Sequence, residues 1–522
     1  MPPDHRGPVV PHAGIAASDH DQGMGGAVYR GGMNHIPIRS HCWFALALAL
    51  LGACDAWAAD LHLTPEGAGT KDGSSWENAR PGTRESFQAA WDALVPGDTL
   101  HVGSGVYDGL AIRAHKGGEA GKPVRLVGAD RGAGLPVFTS NFDKRKGGAT
   151  FFAAAEGVSH LEISGFHLKA YKRGVFIRGK GSDLKLTNLV IDGALEGIRC
   201  DGGAEPGKPE LATHDVVVAD CRFDKFVKRG LRLQGGSYHW RIERCWADAG
   251  GKDWFVEPFA ICFQLSQRPG NPIYARSGDE AKSPAGAVPA DGNAPGADTD
   301  GSDEKAAKDD AFGTRPAAEI FAMEHDIELL DCVAQNAYSE GTSKDKTRYW
   351  NGDGFCGESG AKNFRFVRCV AMHNTDGGWD LKSDHLEFID CISIDNKDNF
   401  RLWAGAPKLI NCVSAFPFKR GGSGPTSGMW CKTSIDLTHC TFIEAPVVIE
   451  EADRVVTFTD SIFIGSTKFK DPASVVFTNC HVGDGSEARI PAQKGFVWLK
   501  PGTEFDSPAF PDKGFSSSRW SR

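Results

Sequence analysis

The sequence lacks an excess of positive charge. Its 522 residues include 58 Lys and Arg against 67 Asp and Glu, which gives a formal net charge of −9. General binding of nucleic acid needs a basic surface that replaces the counterions of the phosphates, so we expect no nucleic-acid partner. An acidic substrate is not excluded, because a bound metal or a local basic groove can reverse the field at one site.

A long apolar segment is also missing. The apolar run 43–52 is too short for a transmembrane helix, and we expect no transmembrane span in the mature chain. Arg39 and His41 precede this run and the tripeptide 56–58 (AWA) follows it, which is typical of a signal peptide with its cleavage site. A buried core helix is the less favoured interpretation, because nothing upstream would pack against it.

These features predict an exported protein that is secreted or periplasmic. Residues 1–59 are interpreted as a disordered extension followed by the signal peptide. Residues 51–54 (LGAC) also resemble a lipobox, so a lipid anchor at Cys54 is an alternative to soluble export. We expect the mature protein to be a monomer.

The 14 cysteines do not have the arrangement of a disulfide-rich secreted domain. Apart from Cys42 and Cys54 in the export segment, most of them take one position of a repeated strand. The residues at that position are Gly165, Leu189, Cys221, Cys245, Cys332, Cys369, Cys391, Cys412, Cys440, Ser461 and Cys480. Where no loop intervenes, they are about 20 residues apart, a period typical of a solenoid with one turn per repeat. We therefore predict a column of buried, unreactive thiols.

A second class of strand alternates with the first, and glycine opens many of its copies. Examples are 173–177 (RGVFI), 196–200 (EGIRC) and 378–381 (GWDL). Glycine supplies a turn with positive φ ahead of the strand. Leucine-rich repeats share the period but lack this layout. The repeats therefore predict an all-β solenoid of stacked turns.

The folded domain is predicted to span residues 60–482, with strands stacked from about residue 98. A segment rich in Gly, Pro, Ala, Ser and Asp, 268–316, is interpreted as a disordered insertion, and 483–522 as a C-terminal cap or tail. Near the start, 84–94 has helical spacing with one apolar face made by Phe87, Ala90, Trp91 and Leu94. We expect this helix to cap the open N-terminal end of the stack.

One column of the second strand class carries the candidate chemistry. Strand alternation predicts that its members point away from the core, and they are Arg199, Arg232, Cys356, Asp380, Arg401 and Trp430. Asp380 and Arg401 are one period apart, so they are expected about 5 Å apart along the stack. Asp376 lies at the turn into its strand, and Asp353 is expected at the same point one turn earlier. Three carboxylates therefore converge at one edge.

Convergent carboxylates without a Cys/His ligand pattern favour a hard cation, and flexible oxygen ligation suits Ca²⁺. The alternative is that turn aspartates only satisfy backbone N–H groups. For Asp353 alone that alternative is preferred, whereas Asp353, Asp376 and Asp380 together favour a metal site. The neighbouring asparagines Asn374 and Asn399 are interpreted as structural.

The motifs at this site resemble those of family-nine pectate lyases. The matching stretches are 353–355 (DGF), 374–380 (NTDGGWD) and 399–402 (NFRL), which cover about 50 residues, while the general β-helix resemblance covers about 60–480. The resemblance implies a single-stranded, right-handed parallel β-helix. It implies that Asp353, Asp376 and Asp380 bind Ca²⁺ and that Arg401 takes the position of the family's catalytic lysine.

The sequence departs from that family at two positions. Gly377 replaces a further aspartate, which predicts weaker Ca²⁺ binding. Arg401 replaces lysine, and a guanidinium is almost never deprotonated, so Arg401 acts either as base or as a clamp on a carboxylate. Lys382 is the second catalytic candidate, and Lys419 is a further fallback. Substrate binding is assigned to Arg232, Lys419, Trp403 and Trp430.

The implied function is an exported lyase that cleaves a uronate-containing, pectate-like polysaccharide by Ca²⁺-assisted β-elimination. Its partner would be an acidic polysaccharide, whose carboxylate is neutralised while a base removes the adjacent proton. Two alternatives stay open. A glycoside hydrolase on the same fold would use a carboxylate pair from Asp353, Asp376 and Asp380. A non-catalytic carbohydrate-binding or matrix protein would have the fold alone.

Overall fold

The computed structural model describes most of the predicted domain. The described residues are 59–205, 207–256, 259–267, 323–340, 349–465, 468–470, 474–482 and, for the backbone only, 497–498. Residues 1–58 of the predicted export segment, the predicted insertion and nearly all of the predicted C-terminal tail lie outside this part.

Parallel pairing organises all the strands of the described part into three ladders that wind as a β-helix. Ladder 1 is formed by the first class of repeated strand, as predicted. Its strands are Asp60–Thr64, Arg80–Pro81, Thr99–Gly103, Val124–Ala129, Leu161–Lys169, Ser182–Asp192, His214–Ala219, Tyr238–Glu243, His325–Leu330, Lys362–Val367, Asp384–Ile389, Lys408–Ile410, Ile435–Thr438, Val456–Thr459 and Val475–Thr478.

Ladder 2 is made of short strands. Most of them follow a ladder 1 strand after a bend. They are Val106–Asp108, Val137–Thr139, Arg222–Asp224, Trp246–Asp248, Val333–Gln335, Val370–Met372, Ile392–Ile394, Val413–Ala415, Thr441–Ile443, Ile462–Ile464, His481–Val482 and Val497–Trp498. Two long ladder 1 strands, Leu161–Lys169 and Ser182–Asp192, also pair with ladder 2 and join both into one sheet.

Ladder 3 is a separate sheet made by the second class of repeated strand. Its strands are Ile112–Ala114, Thr150–Ala154, Arg173–Ile177, Glu196–Asp201, Arg229–Gln234, Ile261–Gln264, Asp353–Gly357, Gly377–Leu381, Asp398–Leu402, Ser427–Cys431 and Val447–Ile449. The all-β solenoid predicted from the repeats, and the parallel β-helix that the resemblance implies, are thus confirmed. The expected positive φ of the glycines in these strands is wrong: Gly174, Gly197 and Gly378 lie inside their strands without it, and a Cβ there would come within 2.7 Å of a carbonyl oxygen on the next strand. Pairing begins earlier than residue 98, since Asp60–Thr64 already pairs with Thr99–Gly103.

The predicted cysteine column lies at the bend between ladders 1 and 2. Its cysteines are buried and free of disulfides, as expected. Each thiol donates to the carbonyl two residues earlier and to a carbonyl of the preceding turn; Cys391, for example, reaches Ile389 O at 3.4 Å and Phe366 O at 3.5 Å. The residue before each cysteine of the column has a positive φ, as Asp390 does at 56°. A small side chain with a weak donor suits this crowded bend.

Aromatic rings stack on the inner side of ladder 3. Phe355, Trp379 and Phe400 follow one another in successive strands, with ring centroids 5.0 and 4.9 Å apart and planes within 15° of parallel. All three are fully buried. Because inner and outer residues alternate along a strand, this stack fixes which side chains of the same strands face outward.

Trp379→Ala is expected to lower the free energy of unfolding by about 3–5 kcal/mol, because it leaves a cavity between two stacked rings. The shift of the denaturation midpoint measures this loss. The control is Trp246→Ala on ladder 2, where the ring is 39% exposed and the expected loss is under about 1 kcal/mol. Equal losses in the two variants would contradict the inward orientation of Trp379.

Helices are few in the described part. The predicted helix, which we call α1, spans Arg84–Ala93, and the Thr83 side chain caps its first turn by accepting from Ser86 N. Its buried face contacts the first turns through Trp91, whose ring lies 5.1 Å from that of Phe152. The remaining helices are the short segments Trp76–Asn78, Pro209–Leu211 and Gly251–Trp254. None of the helices in the described part of the chain combines the length and the apolar character that a bilayer crossing requires.

Candidate functional site

Three carboxylates meet on the outer side of ladder 3. One carboxylate oxygen from each of Asp353, Asp376 and Asp380 lies within 4.8 Å of the others, and all three residues are buried. Asp380 pairs in register with Arg401 on the next strand, as the one-period separation predicts. The inward stack of Trp379 and Phe400 directs both side chains outward.

The register of Asp353 differs from the sequence-based expectation. Phe355 pairs with Trp379, which places Asp353 opposite Gly377 and not opposite Asp376. The offset is one residue, because Asp353 is the first residue of its strand whereas Asp376 lies in the turn just before the next strand. Asp376 still joins the cluster, because it enters from the turn, where its N–H donates to Gly352 O at 3.0 Å.

Buried asparagines hold the turns that present Asp376 and Asp398. Asn374 accepts from Ala337 N at 2.9 Å and donates to the Asn396 side chain at 2.9 Å. Asn396 in turn donates to the Asn399 side chain at 3.2 Å. These amides satisfy backbone groups that would otherwise be unpaired, which agrees with their predicted structural role.

Two cations contact the carboxylates directly. Arg401 Nη1 lies 3.1 Å from Asp380 Oδ2 and 3.5 Å from Asp376 Oδ2. Lys397 Nζ lies 3.1 Å from Asp376 Oδ1 and 3.5 Å from Asp398 Oδ2. The cluster of described side chains thus holds four carboxylates against two cations, a formal excess of two negative charges if every carboxyl group is ionised.

Burial is the main cause of the raised carboxyl pKa values in this cluster. Burial raises the pKa of Asp353 to about 7, and the nearby Asp380 carboxylate adds to the shift. Burial also raises the pKa of Asp376 to about 7, although Lys397 and Arg401 favour its ionised form. Burial lowers the pKa of Arg401, but the carboxylates of Asp380 and Asp376 outweigh it, and the net pKa is raised above its usual value.

The donor set fits a divalent cation. Three convergent carboxylate oxygens match the ligand preference of Ca²⁺, and a bound cation would favour the ionised forms of these carboxylates. Gly377 has a local explanation. A Cβ at this position would lie 3.0 Å from Asp353 Oδ1 and 3.1 Å from Asp380 Cβ. Gly377 instead donates its N–H to Asp353 at 2.8 Å. A backbone donor therefore lies where the motif of the resembling family has a further aspartate.

Two tryptophans assigned to substrate binding border the cluster. Trp403 Nε1 donates to Asp380 Oδ1 at 2.7 Å, and the ring lies 4.7 Å from Arg401 Cζ. The rings of Trp403 and Trp430 have centroids 4.7 Å apart, and Arg401 Cζ lies 5.2 Å from the Trp430 ring. Lys382 lies beside this surface, 5.5 Å from the Trp403 ring, and forms an ion pair with Glu358 at 3.1 Å.

The structure does not bring Arg232 to the carboxylates. Arg232 is in the same column as Asp380 but three strands away, which is about 14 Å at the usual strand spacing. Its Nη1 lies 3.0 Å from the buried Glu196. Burial raises the pKa of Glu196, but the cations of Arg199, Arg173 and Arg232 hold it well below its usual value. Arg232 therefore serves first as the partner of a buried carboxylate.

Lys419 has no described contact with the three aspartates; it is exposed, and its described hydrogen bond goes to Gly424 O at 3.1 Å. Sequence reasoning assigned no role to Lys397, which lies in the turn before the Arg401 strand, or to Tyr349, whose hydroxyl accepts from Arg401 Nη1. Lys397 Nζ is 4.4 Å from the Tyr349 ring centroid. In the sequence, the position of Lys397 beside Asp398 was only a weak indication of its role. Tyr349 could be seen only as part of the long loop at 338–351.

Comparisons with known proteins give structural matches only. No family model matches the chain, and a search of curated proteins found no match. Among solved structures, the pectate lyase Pel9A is 12% identical with a TM-score of 0.35, over 81% of this chain and 78% of that one. The alginate lyase AlyGC of the PL6 family is 11% identical with a TM-score of 0.44, over 88% of this chain but only 57% of that one.

The A-module of the mannuronan C-5 epimerase AlgE6 from Azotobacter vinelandii is 11% identical with a TM-score of 0.42, over 80% of this chain and 95% of that one. At these identities the comparisons concern the fold and not the substrate or the reaction. The chain's own strand pairing defines its class, which is a parallel β-helix protein with a buried carboxylate–cation cluster on ladder 3.

Proposed function

We propose that this protein is an exported polysaccharide lyase that cleaves a uronate-containing, pectate-like polysaccharide by Ca²⁺-assisted β-elimination. The observation that carries the proposal is the cluster of Asp353, Asp376 and Asp380, with a formal excess of two negative charges beside the guanidinium of Arg401. The motif resemblance to family-nine pectate lyases supports it, and so do the tryptophans at the rim, because aromatic faces pack against sugar rings.

Asp353, Asp376 and Asp380 would hold Ca²⁺ in this proposal. The bound ion would neutralise the uronate carboxylate and acidify the proton on the adjacent ring carbon. Arg401 would bind the same carboxylate as a clamp, because a guanidinium is almost never deprotonated in proteins and is therefore a poor base. Trp403 holds Asp380 in place through its indole N–H, and the Trp403–Trp430 pair orients the sugar.

An assay of acidic polysaccharides with and without Ca²⁺ tests the proposal. We expect an ultraviolet absorbance to develop on a uronate polymer in the presence of Ca²⁺, because β-elimination leaves an unsaturated sugar end. A chelator should suppress it. New reducing ends without that absorbance would identify a hydrolase, and binding without any cleavage would identify a carbohydrate-binding protein. Either result would overturn the lyase assignment.

A further inference from the structure

We propose that Tyr349 is the general base of the reaction, and that the same hydroxyl then serves as its general acid. The inference rests on the proposed lyase function. Tyr349 starts the step as the phenolate: its oxygen takes the proton from the carbon next to the uronate carboxylate, and the freed electron pair forms the carbon–carbon double bond. The bond to the leaving sugar oxygen breaks, and Tyr349 returns the proton to that oxygen, so the step balances without another reactant.

Neither Arg401 nor the two nearby lysines, Lys382 and Lys397, are suited to act as the base. Arg401 keeps its proton, because a guanidinium is almost never deprotonated in proteins. Lys382 is engaged in an ion pair with Glu358, and Lys397 is buried in ion pairs with Asp376 and Asp398. None of these cations is placed to accept a proton from a substrate that Arg401 holds.

The position of the Tyr349 hydroxyl matches the role. Arg401 Nη1 donates to this oxygen and also to Asp380 and Asp376, so one guanidinium nitrogen links the phenol to the carboxylate cluster. A sugar carboxylate bound by Arg401 would therefore lie next to the Tyr349 oxygen. General bases must be within hydrogen-bond reach of the proton they remove.

Two positive charges face the Tyr349 side chain. Lys397 Nζ is 4.4 Å from the centre of the ring and Arg401 Cζ is 5.3 Å from it. Nearby cations favour an ionised phenol. The carboxylates of Asp376, Asp380 and Asp398 bind these same cations and moderate their effect.

The Tyr349 side chain is more exposed to solvent than the three aspartates of the cluster. It is 38% exposed, whereas Asp353 and Asp376 are at most 1% exposed. A polymer that lies across the Trp403–Trp430 surface can therefore touch the phenol oxygen directly. A role limited to holding Arg401 would not require this exposure.

Tyr349→Phe is the decisive variant, because it removes the oxygen and keeps the ring between Lys397 and Arg401. We expect kcat to fall by at least about 100-fold with KM within about threefold of the wild type. The control is Tyr338→Phe, whose hydroxyl bonds Glu340 at 3.1 Å outside the carboxylate cluster, and it should leave both constants unchanged. A wild-type enzyme that makes unsaturated product while Tyr349→Phe keeps its kcat would overturn the role of Tyr349 alone.

A second measurement does not depend on turnover. Spectrophotometric titration of tyrosinate should show one phenol in the wild type that ionises below the usual pKa of about 10 and is missing in Tyr349→Phe. The signal is read as the difference between the wild type and Tyr349→Phe, because the chain has seven tyrosines. Burial raises the pKa values of Tyr107 and Tyr171 above the usual value and that of Tyr338 to about 12, which separates them from a phenol that ionises early. Ionisation of Tyr349 at or above the usual pKa would refute the inference even if the protein cleaves no polysaccharide tested.

Discussion

Replacing Arg401 with alanine is expected to lower kcat on a uronate polymer by about 10³-fold, because it removes the charge that faces the substrate carboxylate. The same guanidinium contacts Asp380, Asp376 and Tyr349, so its loss leaves Asp376 with Lys397 and Asp380 with Trp403 as the remaining described side-chain partners. The fold should persist, since the ring stack of ladder 3 lies on the other side of the strand. Steady-state kinetics with a circular-dichroism check on folding measure the effect.

The Arg401→Lys variant distinguishes a clamp from a base. Lysine keeps the charge but loses the planar fork, so a clamp is impaired and a base is retained or improved. The matched control is Arg365→Ala on ladder 1, where the side chain pairs with Glu387 and Glu328 at the surface. We expect that control to keep wild-type kcat. Full activity in Arg401→Ala would end both the clamp and the base interpretations.

In the presence of a chelator, the protein is expected to lose stability as the pH rises from about 4 to about 7. The pKa of Asp353 and that of Asp376 are each raised to about 7 in the folded protein, so folding favours their protonated forms. The stabilisation from the raised pKa is therefore complete below the unfolded-state pKa of about 4 and is lost as the pH passes through 7. At about 1.4 kcal/mol for each pKa unit, the two shifts amount to several kcal/mol.

Ca²⁺ should reverse this loss at neutral pH, since it binds the ionised carboxylates of the folded state. Thermal unfolding between pH 4 and 8, with chelator or with Ca²⁺, measures both effects. Asp353→Asn and Asp376→Asn should flatten the pH dependence and remove the Ca²⁺ effect, whereas Asp436→Asn at an exposed position of ladder 1 should behave as the wild type. A wild-type midpoint that changes with neither pH nor Ca²⁺ would contradict the predicted cation site.

The repeated strands made the fold predictable, because each turn of a solenoid repeats the same local pattern. Alternation gives the inward and outward side chains, and the position occupied by Cys369 and Cys391 marks the bend in each turn. The α1 helix was likewise visible from the spacing of its apolar residues. These features depend on neighbours in the chain or on the next equivalent turn.

The composition of the carboxylate cluster could be predicted in part for the same reason. Asp380 and Arg401 are in register because no residue is inserted between their strands beyond the usual period. Asp353 was misplaced by one residue relative to Asp376, because it begins its strand whereas Asp376 lies in the turn before the next one. Arg232 belongs to the predicted column, but only the folded structure shows that Glu196 engages it.

The sequence by itself therefore determined the solenoid, its inward cysteines and the three aspartates that converge on one face. Only the tertiary structure decided which cations and which phenol meet those aspartates. Tyr349 contacts Arg401 across 52 residues of chain, and Lys397 reaches back by one turn to Asp376. Such contacts depend on loop lengths and turn geometry, which the repeated sequence pattern does not contain. The burial of apolar side chains, by contrast, follows the same alternation in every turn and can be predicted from it.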